Sequence, residues 1–407
     1  MKDTKEINYK ELFEHVKNLK MVLLVATARS GSDFFQSLLD GHPEILQFTG
    51  VWFFHQWWQA AKHKDSLPDL IDEFVRPVPD SFNHLAKFQS YHDKIERWDQ
   101  LGPNKNESFE VDIDLFKKHM INILQDKELS SINFFLAVNL AYGLATNVDI
   151  KKTKILFYHI HRPERIEAFA ADFSGYDVIC MVREPRNTLI SGIEHWKKIR
   201  PGNYSSSFWH YLLRRIFQES EPLLQYTSDF RTLKLEDLHL FSREVFQEFC
   251  RRYGLEFQES MLESSFQGKK WWGDVLSGKY LDGFNNKIAV SKWNDKLFLH
   301  DNFLLEFILA DRLKHYGYSL ENKFSRTSVF LAILLTFLPM KYELKILRHN
   351  LSKGTTLRAK VRALYDGVIF YLLRVRLYLS CILKKIRKKT HLADFYLQNK
   401  YVSEASR

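Results

Sequence analysis

Cysteine is scarce: Cys180, Cys250 and Cys381 are the only three in 407 residues. They lie far apart, with no C-x-x-C pair and no Cys/His spacing of a zinc site. A disulfide-stapled scaffold and a cysteine-built zinc module are therefore excluded, and a reducing compartment, the cytoplasm, is expected. Residues 1–20 are polar and charged and hold no apolar core of signal-peptide length, so no export or anchoring is expected of them. No later run reaches the roughly 20 apolar residues of a spanning helix. A basic excess is missing from most of the chain as well. Residues 1–325 carry 42 Lys and Arg against 45 Asp and Glu, whereas residues 326–407 carry 17 against 4. The formal charge of +10 therefore resides in the tail. That argues against nucleic-acid binding by the main part and for a C-terminal region that meets an anionic surface.

What is present suffices for a large core. Apolar residues make up 45% and aromatic residues 15% of the chain, which predicts one large domain with an appendage. The organising stretch is Met21–Ile45. Met21–Ala26 is apolar without alternation, as in a parallel strand covered on both faces. Residues 27–32 form a turn in which Arg29, Ser30, Gly31 and Ser32 offer a guanidinium, two hydroxyls and a glycine that lets backbone amides approach an anion. The helix expected from Asp33 points its positive end at the same place. Phosphate suits this turn, and an ordinary strand–turn–helix connection with a serine cap is the plain alternative. The triphosphate loop G-x-x-x-x-G-K-[ST] is excluded, since no lysine and magnesium-holding hydroxyl follow Gly31.

Two further units share this design. Lys154–Pro163 reads as a strand running into His159 and His161, which at i, i+2 share one face near the strand's C-terminal end, where ligands of open α/β sheets sit. A zinc pair, ordinary polar residues and a catalytic base all fit that spacing. In Tyr176–Trp196, Val178–Val182 is an apolar strand with Arg183 at its exit, Pro185 ends it, and the following helix carries Ser191. An arginine at a strand end and a hydroxyl on the next helix make a two-point phosphate clamp. Residues 230–238 predict a fourth strand ending in Glu236 and Asp237, taken as caps of a helix over 241–253. Helices are expected over 111–124 and 131–145. The aromatic stretch 48–62 is core or pocket, and residues 66–107 form a polar insertion.

Arg29-Ser30-Gly31-Ser32 with the downstream Leu-Leu-Asp-Gly-His-Pro-Glu-Ile resembles the 5′-phosphosulfate loop of sulfotransferases that use 3′-phosphoadenosine 5′-phosphosulfate (PAPS). The eight-residue interval from Arg183 to Ser191 resembles their 3′-phosphate motif. His159-Ile160-His161-Arg162-Pro163 resembles their Lys-x-His-x-Pro element, with His159 in the lysine's place. Lys269 and Lys270 resemble a segment that closes over the 3′-phosphate, and Trp293 with residues 297–318 resembles the helix that ends the catalytic domain, which implies a catalytic domain of residues 1–325 followed by a basic helical tail, residues 326–407. The resemblance implies a three-layer α/β/α fold with a central parallel sheet, like that of the P-loop nucleoside triphosphatases. It implies a PAPS-dependent sulfotransferase with no metal, in which Arg29 and the loop hold the 5′ side, Arg183 and Ser191 hold the 3′-phosphate, and His161 is the base. His159 would orient the sulfonate, with His55 and Glu44 the next candidates for the base. Asp33 stands where the family usually has Thr or Ser, and its carboxylate would repel a phosphate unless it turns back to cap the helix. A small-molecule kinase and an inactive membrane adaptor on the same fold are the other two readings.

The acceptor implied is a hydroxyl or amine of a glycan, glycolipid or other lipid-linked molecule. In the tail, residues 329–338 and 367–383 are apolar but short or interrupted by Arg374 and Arg376. Basic amphipathic helices lying on an anionic membrane are expected there, with homo-oligomerisation through the same helices as the alternative.

Overall fold

The structure is a computed structural model that describes residues 7–26, 29–50, 52–64, 66–76, 82, 101–199, 206–219, 221–227, 230–273, 283–288, 296–387 and 394–395. Thr27 and Ala28 of the first loop, residues 83–100 of the polar insertion, Trp293, Lys388 and Lys389 lie outside the described residues.

Six strands form one parallel sheet: β1 (Lys20–Ala26), β2 (Ile45–Gln47), β3 (Ile155–His161), β4 (Asp177–Val182), β5 (Phe230–Lys234) and, beyond a small antiparallel hairpin of β6 (Ser265–Phe266) and β7 (Lys269–Lys270), β8 (Asp394–Phe395). Their order is β2-β3-β1-β4-β5-β8. The expected α/β/α arrangement is the one observed. The chain leaves β1 toward β2 on one side and leaves β4 toward β5 on the other, so a crevice opens beyond the C-terminal ends of β1 and β4.

Uninterrupted apolar strands follow from burial on both faces. Leu23, Val25, Leu156, Tyr158, Val178 and Cys180 join one core with α1 (Tyr9–Lys17) and, after α2 (Ser32–Leu38), with α3 (Phe54–Ala61), α4 (Leu67–Val75), α5 (Ile113–Leu124), α6 (Ser131–Ala145) and α7 (Ile166–Asp172). Val22, Leu24, Phe157, Ile179 and Met181 face the opposite core with α2. On that side, beyond α8 (Pro185–Ile199) and α9 (Ser206–Gln218), lie α10 (Leu235–Leu240) and α11 (Ser242–Tyr253). Side chains of Ser66, Asp112 and Ser130 accept from backbone amides to start α4, α5 and α6. Because α6 is apolar all round, it is buried over Phe134–Gly143. The aromatic stretch is core: Trp52 stacks on Phe135 with ring centroids 5.4 Å apart and an interplanar angle of 2°.

A third core joins α8 and α9 to α12 (Leu299–His315), α13 (Arg326–Leu335), α14 (Lys341–Lys353) and α15 (Leu357–Arg387). The boundary expected at residue 325 falls on Ser325, which caps α13, and the helices beyond it share this core through Ala332, Met340, Tyr342, Tyr378 and Ile382. Glu236 and Asp237 do not cap the helix after residue 241. They lie in the first turn of their own short helix, α10, and both are buried.

Candidate active site

The C-terminal edge of the sheet gathers the chemistry. Between β1 and α2, Arg29 has φ +57° and Gly31 φ +81°. A Cβ built on Gly31 would collide with Leu235, so this tight turn requires glycine there. The first intrahelical bond of α2 runs from Phe35 N–H to Gly31 C=O (2.9 Å), so the amides before it have no partner within the helix.

Arg183 leaves β4 across the crevice, and its Nη1 donates to the Arg29 carbonyl at 3.5 Å. Its Nε is buried with no hydrogen-bond partner among the described residues. Burial lowers the Arg183 pKa below the usual arginine value. Glu236 opposes this and Arg29 adds to it, so the two guanidiniums repel each other. An anion between them would relieve that repulsion.

Arg183 is fixed from behind. Arg186 is fully buried and donates through Nε to Glu184 (2.6 Å), through Nη1 to Glu306 (2.5 Å) and through Nη2 to the Ser319 carbonyl (2.9 Å). Glu184 also accepts from Asn187 N–H at 2.7 Å, and its own N–H donates to Glu236 at 3.0 Å. This ties the start of α8 to α12 and α10. Ser191 lies on α8, half-buried, in the helix that begins two residues after Arg183.

The two histidines meet by a backbone irregularity. Leu24 pairs with His159 and Val25 with His161, so Ile160 is an extra residue and His161 takes φ +66°. His161 is half-buried, with Nδ1 3.3 Å from Ser32 Oγ and 3.4 Å from His159 Nε2. His159 is fully buried, which removes the role of orienting a sulfonate and leaves it to act through His161.

The proton positions follow from one fixed amide. Gln36 Nε2 donates to the Phe48 carbonyl (3.0 Å), so Gln36 Oε1 accepts from His159 Nδ1 (3.1 Å). With the His159 ring neutral, its Nε2 is then an acceptor; when His161 Nδ1 carries the proton it donates there, and His161 Nε2 keeps an open lone pair. Neither nitrogen of His159 remains for a metal. Among the described residues no group of three His, Cys, Asp or Glu is placed to hold a metal ion. Burial pushes the His161 pKa down to about 3; His159, Arg215 and Arg162 act in the same sense and Asp33 opposes them.

Asp33 lies in the first turn of α2, behind the N-cap residue Gly31. Its Oδ1 is 3.9 Å from His159 Nδ1, so its charge is turned toward the histidine pair.

Arg215 and His239 at this edge were not anticipated from sequence, and Glu236 was expected as a helix cap. Arg215 of α9 donates through Nη2 to the Ala26 carbonyl (2.6 Å) and, at 3.5 Å, to that of His161, tying together the ends of β1 and β3. Glu236 accepts from Tyr318 Oη at 2.9 Å, and His239 stacks on Phe34 with ring centroids 5.0 Å apart. A sequence clue exists for Arg215 alone: it stands on the buried stripe of α9 beside Leu212 and Ile216.

Other expected residues sit apart. Lys269 Nζ donates to the Ser108 carbonyl (2.5 Å), and Lys270 Nζ lies 4.1 Å from the Trp272 ring centroid. Glu44 pairs with Lys154 at the N-terminal ends of β2 and β3, the far edge of the sheet from His161. His55 is bound to Asp172 (3.0 Å) beside a cavity of about 370 Å³ lined by Phe53, Tyr158, Ile160 and Arg165. Tyr158 and Ile160 belong to the core on the other side of the sheet from α2.

No protein-family model matches the chain, and no curated protein does. Solved structures do resemble it. The sulfotransferase domain from the curacin biosynthetic pathway is 14% identical, with 78% of this chain and 98% of that chain covered and a TM-score of 0.38. The sulfotransferase domain from the Synechococcus PCC 7002 olefin synthase is 15% identical over 79% of this chain and 96% of that one, with a TM-score of 0.34. Sulfotransferase STF9 from Mycobacterium avium is 10% identical over 77% and 82%, with a TM-score of 0.38. The likeness to all three is one of fold.

Proposed function

We propose that the protein is a PAPS-dependent sulfotransferase acting on a hydroxyl or amine of a glycan, glycolipid or other lipid-linked acceptor, on the cytoplasmic side of a membrane. One observation carries the reading: Arg183 reaches across the β1/β4 crevice to the backbone of Arg29 and senses its charge, its Nε has no hydrogen-bond partner among the described residues, and a neutral His161 stands at the same edge of the sheet, beyond β1. Two opposed guanidiniums suit a ligand with two anionic groups. Arg29, Ser30, Ser32 and the loop amides would hold the 5′-phosphosulfate; Arg183 and Ser191 would hold the 3′-phosphate. PAPS supplies, when bound, a sulfonyl group activated by its anhydride link to phosphate. His161 Nε2 accepts the proton of the acceptor, and the arginines stabilise charge on the departing phosphate. Lys269 and Lys270 have other partners and are left out of this assignment. The three free cysteines suit a reducing compartment.

Thermal-shift titrations with adenosine 3′,5′-bisphosphate, AMP and ATP–Mg²⁺ test the reading. The bisphosphate should raise the melting temperature most. Greater protection by ATP–Mg²⁺ would replace the sulfotransferase with a kinase. Bisphosphate protection without transfer from PAPS to a panel of lipid and glycan acceptors would leave a nucleotide-binding protein that does no chemistry.

A further inference from the structure

We propose that α13, α14 and the first half of α15 form a face that docks on an anionic lipid bilayer. Leu357, Val361, Leu364, Tyr365, Val368 and Leu372 are all exposed on α15, Leu357 by 79%. At 100° per residue these six fall within an arc of about 100°, a single stripe roughly 22 Å long. Arg358 and Lys360 border the stripe on its two sides and are exposed, whereas Asp366 falls on the opposite side of the helix.

The stripe continues onto α13. Tyr371 Oη donates to the Phe337 carbonyl at 2.6 Å, and the buried Arg374 donates to the Thr336 and Leu338 carbonyls and pairs with Glu343. This seats α15 against the turn in which Phe337 and Leu338 are exposed, next to the exposed Phe330 and Leu334 of α13. Gly367 lies against Leu347, which brings α14 alongside with Leu344, Lys345 and Arg348 exposed. An exposed apolar face of this extent marks an interaction site.

Charge selects the occupant. Residues 326–387 hold thirteen Lys and Arg and two acids. A second copy of the chain would bring the same positive rim to the face and repel it. A bilayer with anionic headgroups complements the rim while its acyl boundary takes the stripe. The helix lies in the interface and does not cross: among the described residues no helix is long and apolar enough to span a membrane.

The test is co-sedimentation of the full chain, without nucleotide, with vesicles of phosphatidylcholine alone and of phosphatidylcholine mixed with phosphatidylserine, at low and high salt. Binding should require phosphatidylserine and weaken with salt. The triple variant Arg358→Glu, Lys360→Glu, Arg362→Glu should bind at least about a hundredfold more weakly, since each basic residue near the surface contributes about fivefold. Leu364→Ser with Val368→Ser should also lose binding. All five positions are exposed, so unchanged melting curves will show that the variants are folded. Salt-insensitive binding to neutral vesicles, or no binding at all, overturns the proposal. So does a dimer in sedimentation velocity that Leu364→Ser with Val368→Ser converts to monomer while vesicle binding persists, because the face would then join two copies.

Discussion

Gln36 decides which nitrogen of His161 carries the proton, so changing Gln36 should switch the base without touching the ligand. Its amide bonds the Phe48 carbonyl on one side and His159 Nδ1 on the other. Gln36→Met removes the bias toward the productive tautomer. That bias is one hydrogen bond, net about 0.5–1.5 kcal/mol, so the productive tautomer should fall by roughly two- to tenfold. Gln36→Glu goes further. A carboxylate draws a second proton onto His159, whose Nε2–H then donates to His161 Nδ1 and forces the His161 proton onto Nε2. A general base is usually worth about 10²–10⁴ in rate, and Gln36→Glu should lose most of it. Both variants leave the Phe48 carbonyl unpaired, at about 1–3 kcal/mol of stability, a cost that melting curves will register separately. The assay is imidazole ¹⁵N NMR of histidine-labelled protein, paired with turnover of PAPS and titration with adenosine 3′,5′-bisphosphate. Bisphosphate affinity should be unchanged in both variants. If His161 Nδ1 stays protonated in Gln36→Glu, or if that variant turns over like the wild type, the relay from Gln36 through His159 is refuted.

Arg183→Ala removes a charge-assisted contact worth about 1.5–3 kcal/mol, so calorimetry should show bisphosphate affinity reduced roughly tenfold to a hundredfold with AMP affinity unchanged; equal losses for both ligands would remove Arg183 from the 3′-phosphate. Gly31→Ala places a β-carbon at φ +81° against Leu235. The left-handed backbone alone costs about 1–2 kcal/mol, and an unaltered melting temperature would contradict the geometry of the loop. His239 is held down at about pKa 4, first by burial and then by Arg183. Between pH 6.5 and 4 the unfolded chain takes up a proton that the folded chain refuses, so this group subtracts stability as pH falls through that window, at up to about 1.4 kcal/mol per pH unit. The wild type should therefore lose stability relative to His239→Gln from pH 6.5 toward 4, and parallel melting curves for the two proteins would argue against a buried neutral His239.

The strands were legible where burial is two-sided. Met21–Ala26 and Val178–Val182 are apolar without a break because alternate residues enter different cores, and the observed β1 and β4 begin one residue earlier in each case. The expected helix over 131–145 matches α6 because Ser130 caps it and the run ends at Thr146. β2 is three residues long and carries no periodicity, so only its partner β3 reveals it. The acid pair at 236–237 was misplaced because a six-residue helix intervenes before α11, and a run that short offers less than two turns of pattern. Gln36 and Arg215 were invisible for a different reason. Their partners are 123 and 189 residues away, and a polar side chain on an otherwise apolar helix face declares that it needs a partner without saying which.

The tail shows the same limit at larger scale. Its apolar runs and its charge were plain in the sequence, and the amphipathic helices they imply are helices here. The division of their apolar residues was not plain. Tyr378 and Ile382 are buried against α9 and α12, while Val361, Leu364 and Val368 of the same helix are exposed. What separates the two halves of α15 is Arg374. In the sequence it interrupts an apolar run; in the fold it is fully buried, paired with Glu343 and donating to the turn carbonyls after α13. Arg186 does the same for the site. It looks like one more cation beside Arg183, yet it is neutralised by Glu184 and Glu306 and serves to hold the start of α8. Charge composition alone cannot tell a binding arginine from a bracing one. Paired acids can: Arg186 and Arg374 have carboxylates in hydrogen-bond contact, whereas Arg183 makes a long hydrogen bond to the backbone of Arg29 and feels the opposed charges of Glu236 and the Arg29 guanidinium. That difference makes Arg183, and not Arg186 or Arg374, the arginine to test with an anionic ligand.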